Sequence, residues 1–383
     1  MVRIAHFSDA AADGVNGIAT SIRLLTGQLS ELGHESLVVS TGRGGIKVPS
    51  LPTGMGDFRF ALVPLLPMRK RVLAWRPDVA HVHTPGPLGA AGMTVARELG
   101  IPAVYTYHTD MHGYSAFYHF PTPVIRAGTA LYARRLRRGA RVDGWGKYAA
   151  VEAANARIFE AARVIILPTA TALRHCRTAD SYAHKTRVIA TPPGHRSERA
   201  RSGTSSTVLF VGRVSEEKGI PLLLDAFALL RRDRPEARLV LAGPVSRRLG
   251  LRRRLDRAGL TSSTLVTGVL HDEEVLAAYR GAGVFAFPST TDTQGLVLHE
   301  AALAGLPIVM VDRELAAGHP LGGAVRLADP EPASLASALR ASLTEDRDAQ
   351  VQKAFQIAYA LTPALFAERT LDAYRAALTG DRE

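Results

Sequence analysis

Two stretches of the chain place charged side chains where a phosphorylated ligand could be held. In VLFVGRVSEEKGIPLLLDAF (208–227) an apolar run enters a loop holding Gly212, Arg213, Lys218 and Gly219, and a helical pattern follows. Guanidinium and ammonium groups form charge-assisted bonds to phosphate oxygens, and ligands of open α/β sheets bind at the carboxyl ends of strands. Two cations at such an end therefore suit a diphosphate. In FAFPSTTDTQGLVLHEAALAGLPIV (285–309) the same strand, loop and helix order carries two carboxylates, Asp292 and Glu300, eight residues apart. The loop 290–295 leads into a helix whose first N–H groups have no intrahelical partner and can hold phosphate, while Gly295 allows close backbone approach. Glu300 lies within that helix, about two turns from Asp292, where it could accept hydrogen bonds from ribose hydroxyls.

In the first half, YTYHTD brings His108 and Asp110 to the end of another apolar run, and GVNGIATSIRLL opens on Gly14, Asn16 and Gly17 before a helical pattern. His81 and His83 alternate onto one strand face and read as structural, and Cys176 reads as a small core hydrophobe. No obvious Asp-x-Asp element and no His/Cys cluster at ligand spacing stands out, so a required metal is not expected.

The elements that must position these groups alternate short apolar strands with amphipathic helices, the pattern of a parallel sheet wound by crossovers. Strands are expected at 2–8, 35–40, 79–83, 103–108 and 164–167, and a helix from Ile18 to Leu32 closed by Gly33. Residues 192–206, PPGHRSERARSGTSS, lack apolar periodicity and read as a linker and natural hinge. Beyond it a second alternation has strands at 207–211, 238–242, 264–267, 284–287, 307–311 and 324–327. The expected domains are 1–192 with a returning carboxyl-terminal helix at about 363–383, a linker 193–206, and 207–362. Pro363 suits a first helical position.

Composition bounds the partners. The 383 residues are 46% apolar and 21% charged, as in an ordinary globular protein, and the net charge of +12 rests on 41 arginines and only 6 lysines. An acidic partner is implied: nucleic acid, an anionic membrane, or a phosphorylated small molecule. Arginine-rich codon usage accounts for such a surplus equally well. The segment 126–141, RAGTALYARRLRRGAR, holds six arginines and a narrow apolar edge, either a solvated helix face or a membrane-surface contact. A second cluster, Arg247, Arg248, Arg252, Arg253, Arg254 and Arg257, has no aromatic interleaving, which argues against nucleic acid. With no signal-peptide pattern after Met1 and no long apolar run, the expectation is a cytoplasmic protein, peripheral at most to the inner face of a membrane.

Over nearly its whole length the chain resembles glycosyltransferase family 4, through the G-R-x4-K-G element at Gly212–Gly219 and a Glu-x7-Glu element that stands here as Asp292–Glu300. GVNGIATSIRLL, VHTPGPLG and PAVYTYHTD are similar to the subgroup of diacylglycerol glucosyltransferases and related mannosyltransferases. The resemblance implies a GT-B fold, two Rossmann-like α/β domains facing each other across a cleft, and retaining transfer of a hexose from a UDP- or GDP-sugar to a lipid or small hydrophilic acceptor. It implies catalytic roles for Arg213, Lys218, His108 and Asp292. Donor contacts are implied for Gly17, Gly212, Arg213, Lys218, Asp292, Thr293, Gln294, Gly295, Leu296, Val297 and Glu300, with Gly268 and Leu270 near the base. Acceptor contacts are implied for Gly14, Asn16, His108 and Asp110. No metal or other cofactor is implied, because the leaving phosphate oxygen takes the acceptor's proton.

A nucleotide-sugar epimerase or hydrolase, or a non-catalytic nucleotide-sugar-binding subunit, would share this fold. The paired elements at 212–219 and 292–300 resemble transferases instead. A dehydrogenase is disfavoured because Gly14-Val15-Asn16-Gly17 lacks the G-x-G-x-x-G spacing.

Overall fold

The computed structural model describes residues 1–55, 58–62, 65–117, 147–194 and 205–380. The arginine-rich segment 126–141 and most of the expected linker fall outside them. Contacts divide the chain into two compact units, Met1–Thr191 with Thr362–Glu383, and Pro192–Leu361.

The first unit is built on a parallel sheet of strands β1 (Arg3–Ser8), β2 (Glu35–Ser40), β3 (Ile46–Lys47), β6 (Val79–Val82), β7 (Ala103–Thr106), β8 (Val164–Leu167) and β9 (Thr186–Val188). A separate antiparallel hairpin pairs β4 (Ser50–Met55) with β5 (Phe58–Ala61). Among the described residues the sheet order is β3-β2-β1-β6-β7-β8-β9, so the winding reverses between β1 and β6. Helix α1 (Gly17–Glu31) starts where Asn16 Oδ1 accepts from the Ala19 N–H, and Gly33 follows its end at φ +77°. Helix α3 (Pro87–Leu99) has proline in its first turn and ends on Gly100 in the left-handed region.

The helix Pro363–Thr379 belongs to this first unit. Thr362 caps it by accepting from the Leu365 N–H. Its Phe366, Leu371, Tyr374 and Ala377 pack with Ile4, Leu25, Leu29, Val104 and Ile166 in one buried cluster.

The second unit repeats the plan with β10 (Thr207–Val211), β11 (Arg238–Ala242), β12 (Thr264–Gly268), β13 (Val284–Phe287), β14 (Ile308–Met310) and β15 (Arg326–Leu327). Their order is β12-β11-β10-β13-β14-β15, and the reversal lies between β10 and β13. β13 and β14 are buried at every position, as expected for parallel strands covered on both faces. Crevices at such reversals, beyond the strands' carboxyl ends, are where open α/β sheets take ligands.

Candidate active site

Both charged stretches of the second unit reach the carboxyl edge of its sheet at the β10/β13 reversal. The loop after β10 carries Arg213 and Lys218, and the loop after β13 carries Asp292. Lys218 Nζ lies 2.7 Å from Asp292 Oδ1, with side chains 13% and 19% exposed. Arg213 Nη1 meets Glu217 Oε1 at 3.0 Å. The loops are stitched further by the Thr291 hydroxyl, which donates to the Glu217 carbonyl at 3.1 Å. Burial pushes the Asp292 carboxyl up, but the charge and hydrogen bond of Lys218, with help from Ser289 and Arg213, hold it below its ordinary value. It is therefore a carboxylate at neutral pH.

Glycines make this approach possible. Gly219, at φ +72°, opens the helix Ile220–Asp233, and a Cβ there would stand 2.1 Å from the Pro288 carbonyl oxygen. Gly295, at φ +74°, opens the helix Leu296–Leu303 against the Phe287 ring, which a Cβ would meet at 2.8 Å. That helix has no side-chain cap, so the N–H groups of its first turn are directed at the loop 290–295. Four residues into it, Glu300 Oε2 accepts from the Tyr279 hydroxyl at 3.0 Å. Tyr279 is fully buried at the end of the helix Asp272–Gly281. Thr293 and Gln294 are buried within the loop, Leu296 and Val297 form the helix's first turn, and Gly268 ends β12 with Leu270 two residues on. Glu217, Thr291 and Tyr279 were not singled out from the sequence. Glu217 stands four residues after Arg213, a usable signal, whereas nothing in the spacing links Tyr279 to Glu300.

At the β1/β6 reversal of the first unit the central group is another residue that spacing did not reveal. Asp9 is fully buried; it accepts from the Thr84 hydroxyl at 2.7 Å and the Leu88 N–H at 3.0 Å, at the start of α3. Gly86 leaves room for it, since a Cβ there would lie 2.5 Å from the carboxylate. Burial outweighs these bonds and pushes the carboxyl up to about 6.

Gly14, Asn16 and Gly17 gather at the amino end of α1, where the Asn16 side chain is engaged in capping. His108 follows β7. Asp110 does not stand beside it as an open group: it is buried, caps the helix Met111–Phe117 through the His112 and Gly113 N–H groups, and meets His175 Nδ1 at 2.5 Å. His108 is instead joined to His83 (Nε2 to Nδ1, 3.2 Å), and His83 to His6 (Nε2 to Nδ1, 3.1 Å). His81 is held by the Tyr374 hydroxyl and Thr106 at 2.6 and 2.7 Å. Among the described residues, His6 of β1 thus joins His81 and His83 of one strand segment with one ligand atom each within 4.8 Å of one another, and it is the contribution of His6 that linear spacing does not reveal. No helix of the described residues is long and apolar enough to cross a membrane.

Known proteins are similar to this chain over most of its length. The family model "Glycosyltransferase Family 4" matches residues 15–194, and "Glycosyl transferases group 1" matches 194–353. The chain is 27% identical over 321 residues to alpha-monoglucosyldiacylglycerol synthase of Streptococcus pneumoniae, covering 80% of this chain and 70% of that one. It is 28% identical over 346 residues to the GDP-mannose-dependent alpha-mannosyltransferase of Mycobacterium tuberculosis, covering 84% and 83%. The crystal structure of Anabaena HepE in complex with UDP and glucose superposes with a TM-score of 0.70 at 17% identity, covering 98% of this chain and 100% of that one, a likeness of fold. With two models running together from residue 15 to residue 353 and the sheet order of a GT-B protein in each unit, the chain belongs to glycosyltransferase family 4.

Proposed function

We propose that the chain moves a hexose from a UDP- or GDP-sugar to an acceptor hydroxyl with retention at the anomeric carbon, and that the acceptor is a lipid at an anionic membrane surface. The observation that carries the donor half is the meeting of Arg213, Lys218 and the uncapped start of helix Leu296–Leu303 at one sheet reversal. As the bond from anomeric carbon to diphosphate oxygen breaks, negative charge collects on the leaving group, where fixed donors stabilise the transition state more than the ground state. Asp292, kept ionised by Lys218, is suited to accept from sugar hydroxyls, and Glu300, steadied by Tyr279, from ribose hydroxyls. The leaving phosphate oxygen takes the acceptor's proton on the same face, so the reaction calls for neither a protein base nor a metal ion.

The lipid acceptor is supported by the name of the pneumococcal relative and by the surplus of twelve positive charges. The same charge supports peripheral contact with an anionic bilayer.

The test is thermal unfolding with a panel of UDP- and GDP-sugars in the presence of a chelator. A sugar nucleotide at 100 times its dissociation constant adds about 2.7 kcal/mol. One or two donors are expected to raise the melting temperature of the intact chain and to leave Lys218→Ala where it was without ligand. A panel that moves neither protein defeats the donor assignment. Transfer to diacylglycerol in anionic vesicles, compared with water-soluble polyols, then decides the acceptor.

A further inference from the structure

His6, His83 and His108 form a row at the carboxyl ends of three adjacent strands. Their nitrogens meet at 3.1 and 3.2 Å, and their ring centroids are 5.3 and 5.4 Å apart with planes 27° and 19° from parallel. The centroid separations exceed the nitrogen separations by about two ring radii, so the rings meet edge to edge along the hydrogen bonds. Burial holds all three neutral at pH 7: His6 is lowered to about 3, His108 to about 4, and His83 well below its ordinary value. Each ring then carries one proton, and two hydrogen bonds must share three.

His83 has a single N–H, so it donates to one neighbour and accepts from the other. Only two arrangements are consistent. In the first, His6 Nδ1–H donates to His83, His83 Nδ1–H donates to His108, and His108 carries its proton on Nδ1. In the second every proton is on Nε2, the His6 Nε2 proton included. His6 Nε2 is buried and has no hydrogen-bond partner among the described residues. An imidazole lone pair left there is more tolerable than an orphaned buried N–H, because unpaired buried donors are the rarer fault in folded proteins. The fourth ring, His81, lies beside the row with its nitrogens bonded to Tyr374 and Thr106 and takes no part in the sharing.

We infer that His83 and His6 are positioning residues that hold His108 in the Nδ1–H tautomer. The inference bears on the function proposed above through the catalytic and acceptor-contact roles that the family resemblance implies for His108, but the proton arrangement can be read without any substrate. The nitrogen of an imidazole that is protonated is set by the bond its other nitrogen makes. Here that bond leads through a second ring to a third, and the state of His108 is decided two residues away in space.

Histidine-selective 15N labelling of the intact chain distinguishes protonated from bare ring nitrogens. In the unaltered protein His108 Nδ1 is expected to be the protonated nitrogen. His6→Phe, which does not touch His108, frees His83 to reverse and is expected to shift His108 toward Nε2–H. His83→Phe should do the same, while His83→Asn, whose amide can still donate from the Nδ1 position, should restore the original pattern. In steady-state transfer His83→Phe is expected to lower kcat about tenfold with donor KM nearly unchanged, the mark of a loosened orienting contact. Should His108 prove to be Nε2–H in the unaltered chain, or should its nitrogens ignore His6→Phe, the inference is wrong. Zinc that shifts His6, His81 and His83 together would likewise replace the chain with a metal site. A failed donor panel leaves the nitrogen spectra unaffected, so the two proposals fail separately.

Discussion

Tyr279 gives Glu300 a fixed carboxylate oxygen, and this divides the proposed ribose contact into two parts that mutation can separate. Tyr279→Phe removes one hydrogen bond of about 1 kcal/mol, so donor KM is expected to rise about fivefold with kcat held. Glu300→Gln keeps the shape and removes the charge, and should raise KM further. Initial rates across a donor concentration series check both, and a fall in kcat alone for Tyr279→Phe would move Glu300 from binding into chemistry. Arg213 and Lys218 could be singled out in the sequence because each adjoins a glycine, and Asp292 and Glu300 because they flank the helix start at Gly295. The pairings could not, since Lys218 meets Asp292 across 74 residues and Tyr279 meets Glu300 from a different helix. Asn16 and Asp110 show the reverse limit. Their types and places suit acceptor binding, but the capping of local helices employs the same oxygens.

At the scale of elements, the donor loops meet only because two helices start on glycine. Gly219 and Gly259 share a left-handed backbone, at φ +72° and +66°, but a Cβ at Gly259 meets nothing within 4 Å whereas one at Gly219 runs into Pro288. Gly259→Ala should therefore cost only the backbone strain of about 1–2 kcal/mol. Gly219→Ala should cost distinctly more and abolish stabilisation by the donor, as measured by urea unfolding with and without the sugar nucleotide. Equal losses for the two variants would show that the contact with Pro288 is soft. The strands of both sheets were readable because buried parallel strands are short unbroken apolar runs, such as Val164–Leu167 and Val284–Phe287. Expected strands ran one or two residues long at their carboxyl ends, for example to His83 and His108 where the ladders stop at Val82 and Thr106. Those two overhanging histidines leave the ladder and bond each other.

For the whole molecule, buried histidines dominate the response to acid. His6, His81, His83 and His108 all lie below their ordinary 6.5 because burial disfavours the charged ring. Unfolding lets them take up protons, so the stability they permit is present above pH 6.5 and is lost as pH falls below it. Asp9, raised to about 6, acts in the opposite sense: its contribution is full below about pH 4 and is lost as pH rises through 6. Near pH 5 the first unit therefore gains about three protons on unfolding, four rings less one carboxyl, or about 4 kcal/mol lost per pH unit. His299 and His319, lowered chiefly by burial, give the second unit about two protons and about 3 kcal/mol per unit. The first unit should unfold first between pH 6 and 4.5. Neither tryptophan falls in the second unit: Trp75 belongs to the first, and Trp145 lies outside the described residues. Tryptophan fluorescence should therefore change at higher pH than half of the far-ultraviolet circular dichroism, and superimposable transitions would contradict this.

The helix Pro363–Thr379 also fixes an order of events during synthesis. Tyr374, whose hydroxyl bonds His81, is 293 residues further along the chain, which at roughly 5–20 residues per second corresponds to about 15–60 s of translation. Throughout that interval the nascent first sheet lacks the side chains that cover Ile4, Val104 and Ile166, while the second unit has every one of its own strands before Thr362 is made. The unit that begins first thus finishes last. Chaperones that shield apolar surface have their longest window on its uncovered sheet face.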